Sequence, residues 1–282
     1  MKTQEIDLFW HNYKFFPYEK RFALREIETL LKPNYIKELN GKLIISGSIN
    51  SEAIKKLVYF SHAEIDQNIV QTLQFHCENG SGTIPRHKRQ NTRYSVHGLH
   101  EYKGKFNPQV VRSLFNIYNI HKGDKVLDPF CGSGTTLVEA AHDNITANGT
   151  DINPLAVFIA NTKIRALNLS FNEVIQSKGQ FFRKYSSIKI KLKLNDEDPR
   201  IQYLKRWFPE ATLIEIEALR LSAYELEESM KNLFLVIISN TLREFSFQEP
   251  LDLRIRRRTT PLPTTKILNQ VSDSIDAFAD RK

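Results

Sequence analysis

Apolar and polar positions alternate along this chain with two different periods, and the two periods predict its elements. In residues 18–31, Phe22, Ile27, Leu30 and Leu31 stand among charges at helical spacing, which predicts a helix closed by Pro33. Residues 42–47 (Lys-Leu-Ile-Ile-Ser-Gly) predict a strand, and residues 51–60 a helix opening on a Ser51 cap. The first seventeen residues carry Phe9, Trp10, Tyr13, Phe15 and Phe16 and fit a strand or an ordered arm equally well. Helix, strand and helix in this order imply a small α+β region, with a boundary among the turn residues 78–83.

Further on, Val126 and Leu127 form a short apolar run, and Leu137, Val138 and Ala141 mark one face of a helix. Residues 146–150 predict a second strand and residues 154–167 a second helix. Ile188, Ile190, Leu192 and Leu194 alternate with Lys189, Lys191 and Lys193, which predicts a half-buried strand with a lysine face. Leu213, Ile216, Leu219, Ala223 and Leu226 predict a long helix over residues 212–232, and a second follows over 233–245. This pair is expected to be a helical hairpin packed on a sheet. Residues 264–282 predict a last amphipathic helix.

The chemistry concentrates where the first of the paired strands ends. Asp128-Pro129-Phe130-Cys131-Gly132-Ser133-Gly134-Thr135-Thr136 places a carboxylate, then glycines, then a helix N-terminus after that strand. Glycines admit a ligand close to the main chain, and the free N–H groups of the first helical turn point at it. A phosphate-binding loop would place a lysine after the last glycine, and a dinucleotide fingerprint a third spaced glycine; neither is present. A second acid, Asp151, follows the next predicted strand at the interval of about 20 residues usual for a ribose-binding carboxylate. The alternative role for Asp151 is to cap the helix that starts near Pro154.

The run Asp-Pro-Phe-Cys-Gly-Ser-Gly-Thr-Thr-Leu-Val-Glu-Ala, followed by Gly-Thr-Asp-Ile-Asn-Pro, resembles the cofactor motif of S-adenosylmethionine-dependent DNA amino-methyltransferases of the N4-cytosine and N6-adenine type. RNA guanine methyltransferases of the THUMP type are close behind. Residues 97–109, with Lys105-Phe106-Asn107-Pro108, resemble the segment these enzymes place ahead of that motif. The resemblance is specific over residues 94–165. It implies that Phe106, Asn107 and Pro108 line the methionine end of S-adenosylmethionine. Asp128, Phe130, Gly132 and Gly134 would surround its sulfonium and amino-acid part, and Asp151 would take the ribose. It also implies an α/β fold: a Rossmann-like methyltransferase sheet, incomplete in this chain, with a small N-terminal α+β region (1–80), a cofactor-binding core (81–170) and a helical insertion with a basic C-terminal segment (171–282).

Composition refines this in three ways. The 282 residues carry a formal charge of +8, which suits a polyanionic partner such as DNA. The densest basic cluster is Arg254, Arg256, Arg257 and Arg258, the best candidate for nucleic-acid contact, and a basic loop over residues 86–93 is a second. Two cysteines, Cys77 and Cys131, make neither a disulfide framework nor a zinc site, and no apolar run reaches spanning length, so a cytoplasmic protein with no membrane association is expected.

One signature is missing. Amino-methyltransferases of this kind carry Asp/Asn/Ser-Pro-Pro-aromatic, whose side chain and carbonyl accept the hydrogens of the target amine while the ring stacks on the flipped base. No such sequence occurs here, and neither cysteine follows a proline as a cytosine-C5 nucleophile would. The expectation is a truncated or split N-terminal part of a DNA methyltransferase, with no catalytic residue of its own and a second subunit supplying that signature. Two alternatives stand beside it: an RNA guanine or adenine methyltransferase fragment, and a non-catalytic subunit that binds cofactor and DNA.

Overall fold

The computed structural model describes residues 4–47, 50–79, 90–250, 252 and 254–281. Residues 80–83 of the expected boundary and 86–89 of the basic loop lie outside them. The chain divides into two compact units, residues 1–97 with 102–160 and residues 98–101 with 161–282. The α+β region and the glycine motif thus share one unit.

That unit begins with β1 (Gln4–Trp10), α1 (Pro17–Leu30), β2 (Tyr35–Leu39), β3 (Lys42–Gly47), α2 (Ser51–Lys55), β4 (Phe60–Ile65), β5 (Asn68–Gln71) and α3 (Leu73–Asn79). The five strands make an antiparallel sheet in the order β2-β3-β1-β4-β5. The aromatic N-terminal stretch, open between strand and arm in the sequence, therefore supplies the middle strand. Ile6 and Leu8 pair with Ile45 and Leu43, and all four are buried with Ala23 and Ile27 of α1 and with Leu31 at its C-terminal cap. Asn40-Gly41 and Asp66-Gln67 turn the two hairpins with positive φ at both positions, the conformation that matches strand twist.

The helix expected over 51–60 is corrected. It ends at Lys55, and its cap is Asn50, whose Oδ1 accepts from Glu52 N at 2.9 Å. Leu57, Val58, Tyr59 and Phe60 are all buried, and from Phe60 the chain pairs with β1, because an apolar β-branched and aromatic run gains more in a sheet than on a short helix.

After a 3-10 turn (Ser95–Gly98), of which the first three residues belong to this unit, come α4 (Pro108–Ile117), β6 (Lys125–Asp128), α5 (Thr135–His142), β7 (Thr146–Gly149) and α6 (Pro154–Ala166), whose residues from 161 on belong to the second unit. β6 and β7 pair in parallel, Asp128 opposite Gly149, with α5 as the crossover. Val111 and Phe115 of α4, Ala140 of α5 and Ile145 form the core beneath them, closed by Ile120, Val126 and Ala147. α4 also packs on α1. There Glu26 is completely buried, its carboxylate accepting from Asn116 Nδ2 at 2.8 Å and Val58 N at 3.3 Å.

Burial pushes Glu26 up to about 8, against the hydrogen bonds that favour its charged form, and pushes Glu78 up to about 7. Both folded-state values lie above the unfolded carboxylate, so stability from these groups is greatest below pH 4.5 and is lost as pH rises through 7 to 8. His11, lowered by burial to about 4, works in the opposite sense below its ordinary 6.5. The urea midpoint is expected to fall between pH 6.5 and 8.5, and Glu26→Gln to flatten that fall. An equal slope in the variant would remove Glu26 as its source.

The second unit holds α7 (Phe171–Lys191), α8 (Pro199–Lys205), α9 (Glu210–Tyr224), α10 (Glu228–Leu242) and α11 (Ile267–Ala279). The strand expected at 187–194 is corrected: residues up to Lys191 are the end of α7. Ser170 and Glu173 form a capping box that starts this helix, and Val174, Phe181 and Tyr185 are its buried stripe. The alternation is incidental, since Ile190 is 84% exposed and Lys189 pairs with Glu215 of α9 at 2.6 Å. The helix break expected near 232 falls instead at residues 225–227, and Asn232 sits inside α10 with its Nδ2 donating to Glu228. The α9–α10 hairpin packs on α7 and α11 rather than on a sheet; among the described residues this unit has only the bridge Gln248–Arg257. Among the described residues no helix is long and apolar enough to cross a membrane.

Candidate cofactor site

The residues singled out at the end of β6 form a loop held in shape from several sides. Parallel pairing continues past the strands, with Thr150 N donating to Asp128 O at 3.0 Å and Cys131 N to Thr150 O at 2.9 Å. Gly132 and Gly134 both take positive φ, +51° and +81°, which a side chain resists. At Gly134 a Cβ would lie 2.8 Å from Ala160 Cβ, and at Gly149 one would lie 2.7 Å from Cys131 Cβ. The two glycines thus let α6 and the loop close on the strand ends. Burial pushes the Cys131 thiol up, followed by the charges of Asp128 and Asp151, so it is a packing group and a poor nucleophile.

Both predicted acids reach this loop. Asp128 accepts from Phe130 N (3.1 Å) and from Thr136 Oγ1 (2.6 Å), tying the strand end to the first turn of α5. Asp151 accepts from Gly132 N (2.9 Å) through Oδ2 and from Asn153 N (2.8 Å) through Oδ1. The cap of α6 is Asn153, whose Oδ1 accepts from Leu155 N at 3.0 Å. Phe130 and Ile152 stand in solvent at 87% and 101% exposure. The expected methionine-end residues separate by role: Phe106 is 54% exposed, Asn107 caps α4 through Gln109 N (3.0 Å), and Pro108 is buried in the first turn. Tyr102 went unnoticed in the sequence; its ring meets the space over Gly132, and its hydroxyl accepts from Asn153 Nδ2 at 3.4 Å.

Beneath the loop, α5 carries a buried anion that the sequence reading also missed. Glu139 is fully buried; its Oε1 accepts from Tyr94 Oη (2.9 Å) and lies 2.6 Å from His97 Nε2, and Arg112 Nε lies 3.0 Å from its Oε2. Burial alone would raise this carboxyl, but His142, His97 and the Arg112 charge together hold it well below the usual carboxylate range. Arg112 continues to Gln74 on α3 at 3.1 Å. His97, Glu139 and His142 bring ligand-type atoms within 4.8 Å of one another, yet the carboxylate is filled by donors and a guanidinium, the chemistry of an ion cluster. The only linear signal was a glutamate inside an apolar helical run; apart from His142 three residues on, its partners Arg112, His97 and Tyr94 are 27 to 45 residues away in sequence.

In the second unit, the four arginines of the basic cluster divide. The Arg257 guanidinium lies over Trp207 (5.4 Å) and Phe247 (5.7 Å), and Arg258 donates to the carbonyls of Glu244 and Ser246. Arg256 pairs with Asp252 at 3.2 Å and remains exposed, as does Arg254.

Two parallel strands whose C-terminal ends carry a carboxylate each, joined through a glycine loop and a helix, define a nucleotide-type cofactor site of the α/β class. Residues 10–162 match the family model described as DNA methylase, of the N6/N4 methyltransferases, and the chain belongs to that family. It is 30% identical over 168 residues to the type II methyltransferase M.MjaII of Methanocaldococcus jannaschii, an alignment covering 54% of this chain and 31% of the relative. It is 27% identical over 164 residues to the type II methyltransferase M.MvaI of Kocuria varians, covering 55% and 36%. A tRNA (guanine(10)-N2)-dimethyltransferase of Methanothermobacter thermautotrophicus is 32% identical over 82 residues, 29% of this chain and 24% of that one. The matched stretch spans about a third or less of these relatives. The family's methyl donor is S-adenosylmethionine.

The residues present fit that donor. Two carboxylates at the loop suit a ligand bearing sulfonium and ammonium charges and disfavour one built on phosphates. The exposed Ile152, next to Asp151, offers apolar surface at the loop that a ligand ring could cover.

Proposed function

We propose that this chain is the donor-binding part of a DNA amino-methyltransferase, holding S-adenosylmethionine at the loop after β6 for methyl transfer to an exocyclic amine of cytosine or adenine. The observation that carries this is the Asp128–Gly132–Asp151 arrangement within a family-matched βαβ unit. Asp151 takes the ribose hydroxyls, Ile152 faces the adenine, and Asp128, Phe130, Gly132 and Gly134 surround the sulfonium end. Phe106 closes the methionine side, and Asn107 and Pro108 place it by starting α4. When bound, the donor supplies an electrophilic methyl group.

The groups that accept the amine hydrogens lie, in this reading, outside these 282 residues. Two features support it. The Pro-Pro-aromatic signature is absent from these 282 residues. In addition, among the described residues β6 and β7 form a parallel sheet of two strands, on which Leu127 is 68% exposed. Parallel sheets are normally covered on both faces, and a pair of strands is marginal alone, so a further strand would complete a Rossmann-like sheet here. Arg254 and Arg256 take DNA phosphates, while Arg257 and Arg258 shape their segment.

The test joins calorimetry with a labelled-methyl assay. S-adenosylhomocysteine is expected to bind the purified chain, duplex DNA alone to receive no methyl group, and transfer to start when a polypeptide carrying the signature is added. Efficient transfer by the chain alone would end the split reading. ATP binding with no S-adenosylhomocysteine binding would end the cofactor reading, and a preference for tRNA over DNA at matched salt would redirect the substrate.

A further inference from the structure

A carboxylate whose only duty is to receive ribose hydroxyls would be open in the absence of a ligand. Asp151 is not. Its Oδ2 accepts from Gly132 N at 2.9 Å, on the loop after β6, and its Oδ1 from Asn153 N at 2.8 Å, in the turn after β7. Asn153 in turn caps α6 through Leu155 N and reaches the Tyr102 hydroxyl, and the Tyr102 ring lies 3.4 Å from where a Gly132 Cβ would stand. The contacts close a circuit: Gly132, Asp151, Asn153, Tyr102 and back to Gly132.

Resting on the donor-binding reading above, we propose that Asp151 is a positioning residue for the glycine loop as well as the ribose acceptor, so that one side chain sets the shape of both halves of the donor site. The physical basis is lone-pair arithmetic. An ionised carboxylate offers about four acceptor positions, and two are used by backbone N–H groups. The remaining two are left to accept from a pair of vicinal hydroxyls. Gly132 gains from such an anchor, because its φ of +51° lies in the left-handed region and its N–H is held by this carboxylate. No isosteric neutral residue can replace it: an asparagine must aim its NH₂ at one of two N–H donors, losing that bond and leaving a donor unmatched.

The two duties separate in a cycle of two proteins and two ligands. Wild type and Asp151→Asn are each titrated with S-adenosylhomocysteine and with its 2′,3′-dideoxy analogue, which lacks the hydroxyls a ribose acceptor would hold. If Asp151 also positions the loop, the substitution weakens the dideoxy analogue by about 10-fold and the parent compound by about 100-fold, the loss of one and of roughly two hydrogen bonds. Equal affinity of wild type and variant for the dideoxy analogue overturns the inference while leaving ribose binding intact. Failure of S-adenosylhomocysteine to bind wild type overturns the donor reading and this inference with it. A direct readout needs no variant: in ligand-free wild type the Gly132 amide is expected to exchange with solvent at least about 10-fold more slowly than an unprotected amide. Exchange at the unprotected rate overturns the inference even if Asp151→Asn does not fold.

Discussion

Gly134→Ala is expected to remove donor binding and to lower stability by about 2–4 kcal/mol, the sum of a left-handed backbone penalty and a core overlap. Gly134 opens α5 at φ +81°, and the new Cβ would stand 2.8 Å from Ala160 Cβ and 3.1 Å from Ala160 Cα. Neither atom belongs to a flexible side-chain end, so relief requires α6 to move away from the loop. Gly41→Ala is the control. Its φ is +76° but nothing lies within 4 Å of the added carbon, so only the backbone penalty of about 1–2 kcal/mol applies. Urea midpoints of the two variants, with S-adenosylhomocysteine titrations, measure the difference. Equal losses would mean that the approach of α6 is not a constraint.

The second large effect is expected at Glu139. Glu139→Ala leaves the Arg112 guanidinium buried without its counter-charge, and strips Tyr94 and His97 of their shared acceptor. Breaking a buried pair in this way costs about 3–5 kcal/mol. Burial works to lower Arg112, and the charge of Glu139, with smaller help from Tyr94, more than reverses this. The double variant Arg112→Leu with Glu139→Leu is therefore expected to be more stable than Glu139→Ala alone, since no lone charge is left inside. Additive losses in a double-mutant cycle would show that the two residues act independently. Because α5 carries the glycine loop at one end and Glu139 near the other, donor affinity of Glu139→Ala is expected to fall with stability.

The contrast between what was legible in the sequence and what was not follows the range of the interactions. β6, the loop, α5, β7 and α6 were all readable, because each is signalled by neighbours: glycines at positive φ, an acid at a strand end, a proline in a first turn. α11 was readable from its stripe of Ile267, Val271, Ile275 and Phe278. The misreadings came where a local pattern competed with a distant partner. Ile188 and Ile190 alternate with lysines, yet the capping box at Ser170 had already started the helix that contains them. Residues 57–60 continue an apolar helical pattern, yet β1 lies alongside to pair with the chain from Phe60 onward. Glu139, Arg112, His97 and Tyr94 meet only through folding, and no spacing announces that. The geometry of the candidate site was thus legible in its loop and two acids, and illegible in the buried anion packed on the same helix.

The placement of β1 in the middle of its sheet bears on how the chain is made. Gln4–Trp10 leaves the ribosome before either of its neighbours in the sheet, residues 42–47 and 60–65. At about 5–20 residues per second, this apolar segment waits several seconds for its second partner. For that interval a nascent chain presents Ile6, Leu8 and Trp10 with both strand edges open, the condition under which chains associate wrongly. Slow translation lengthens that interval and is therefore expected to lower the yield of folded protein.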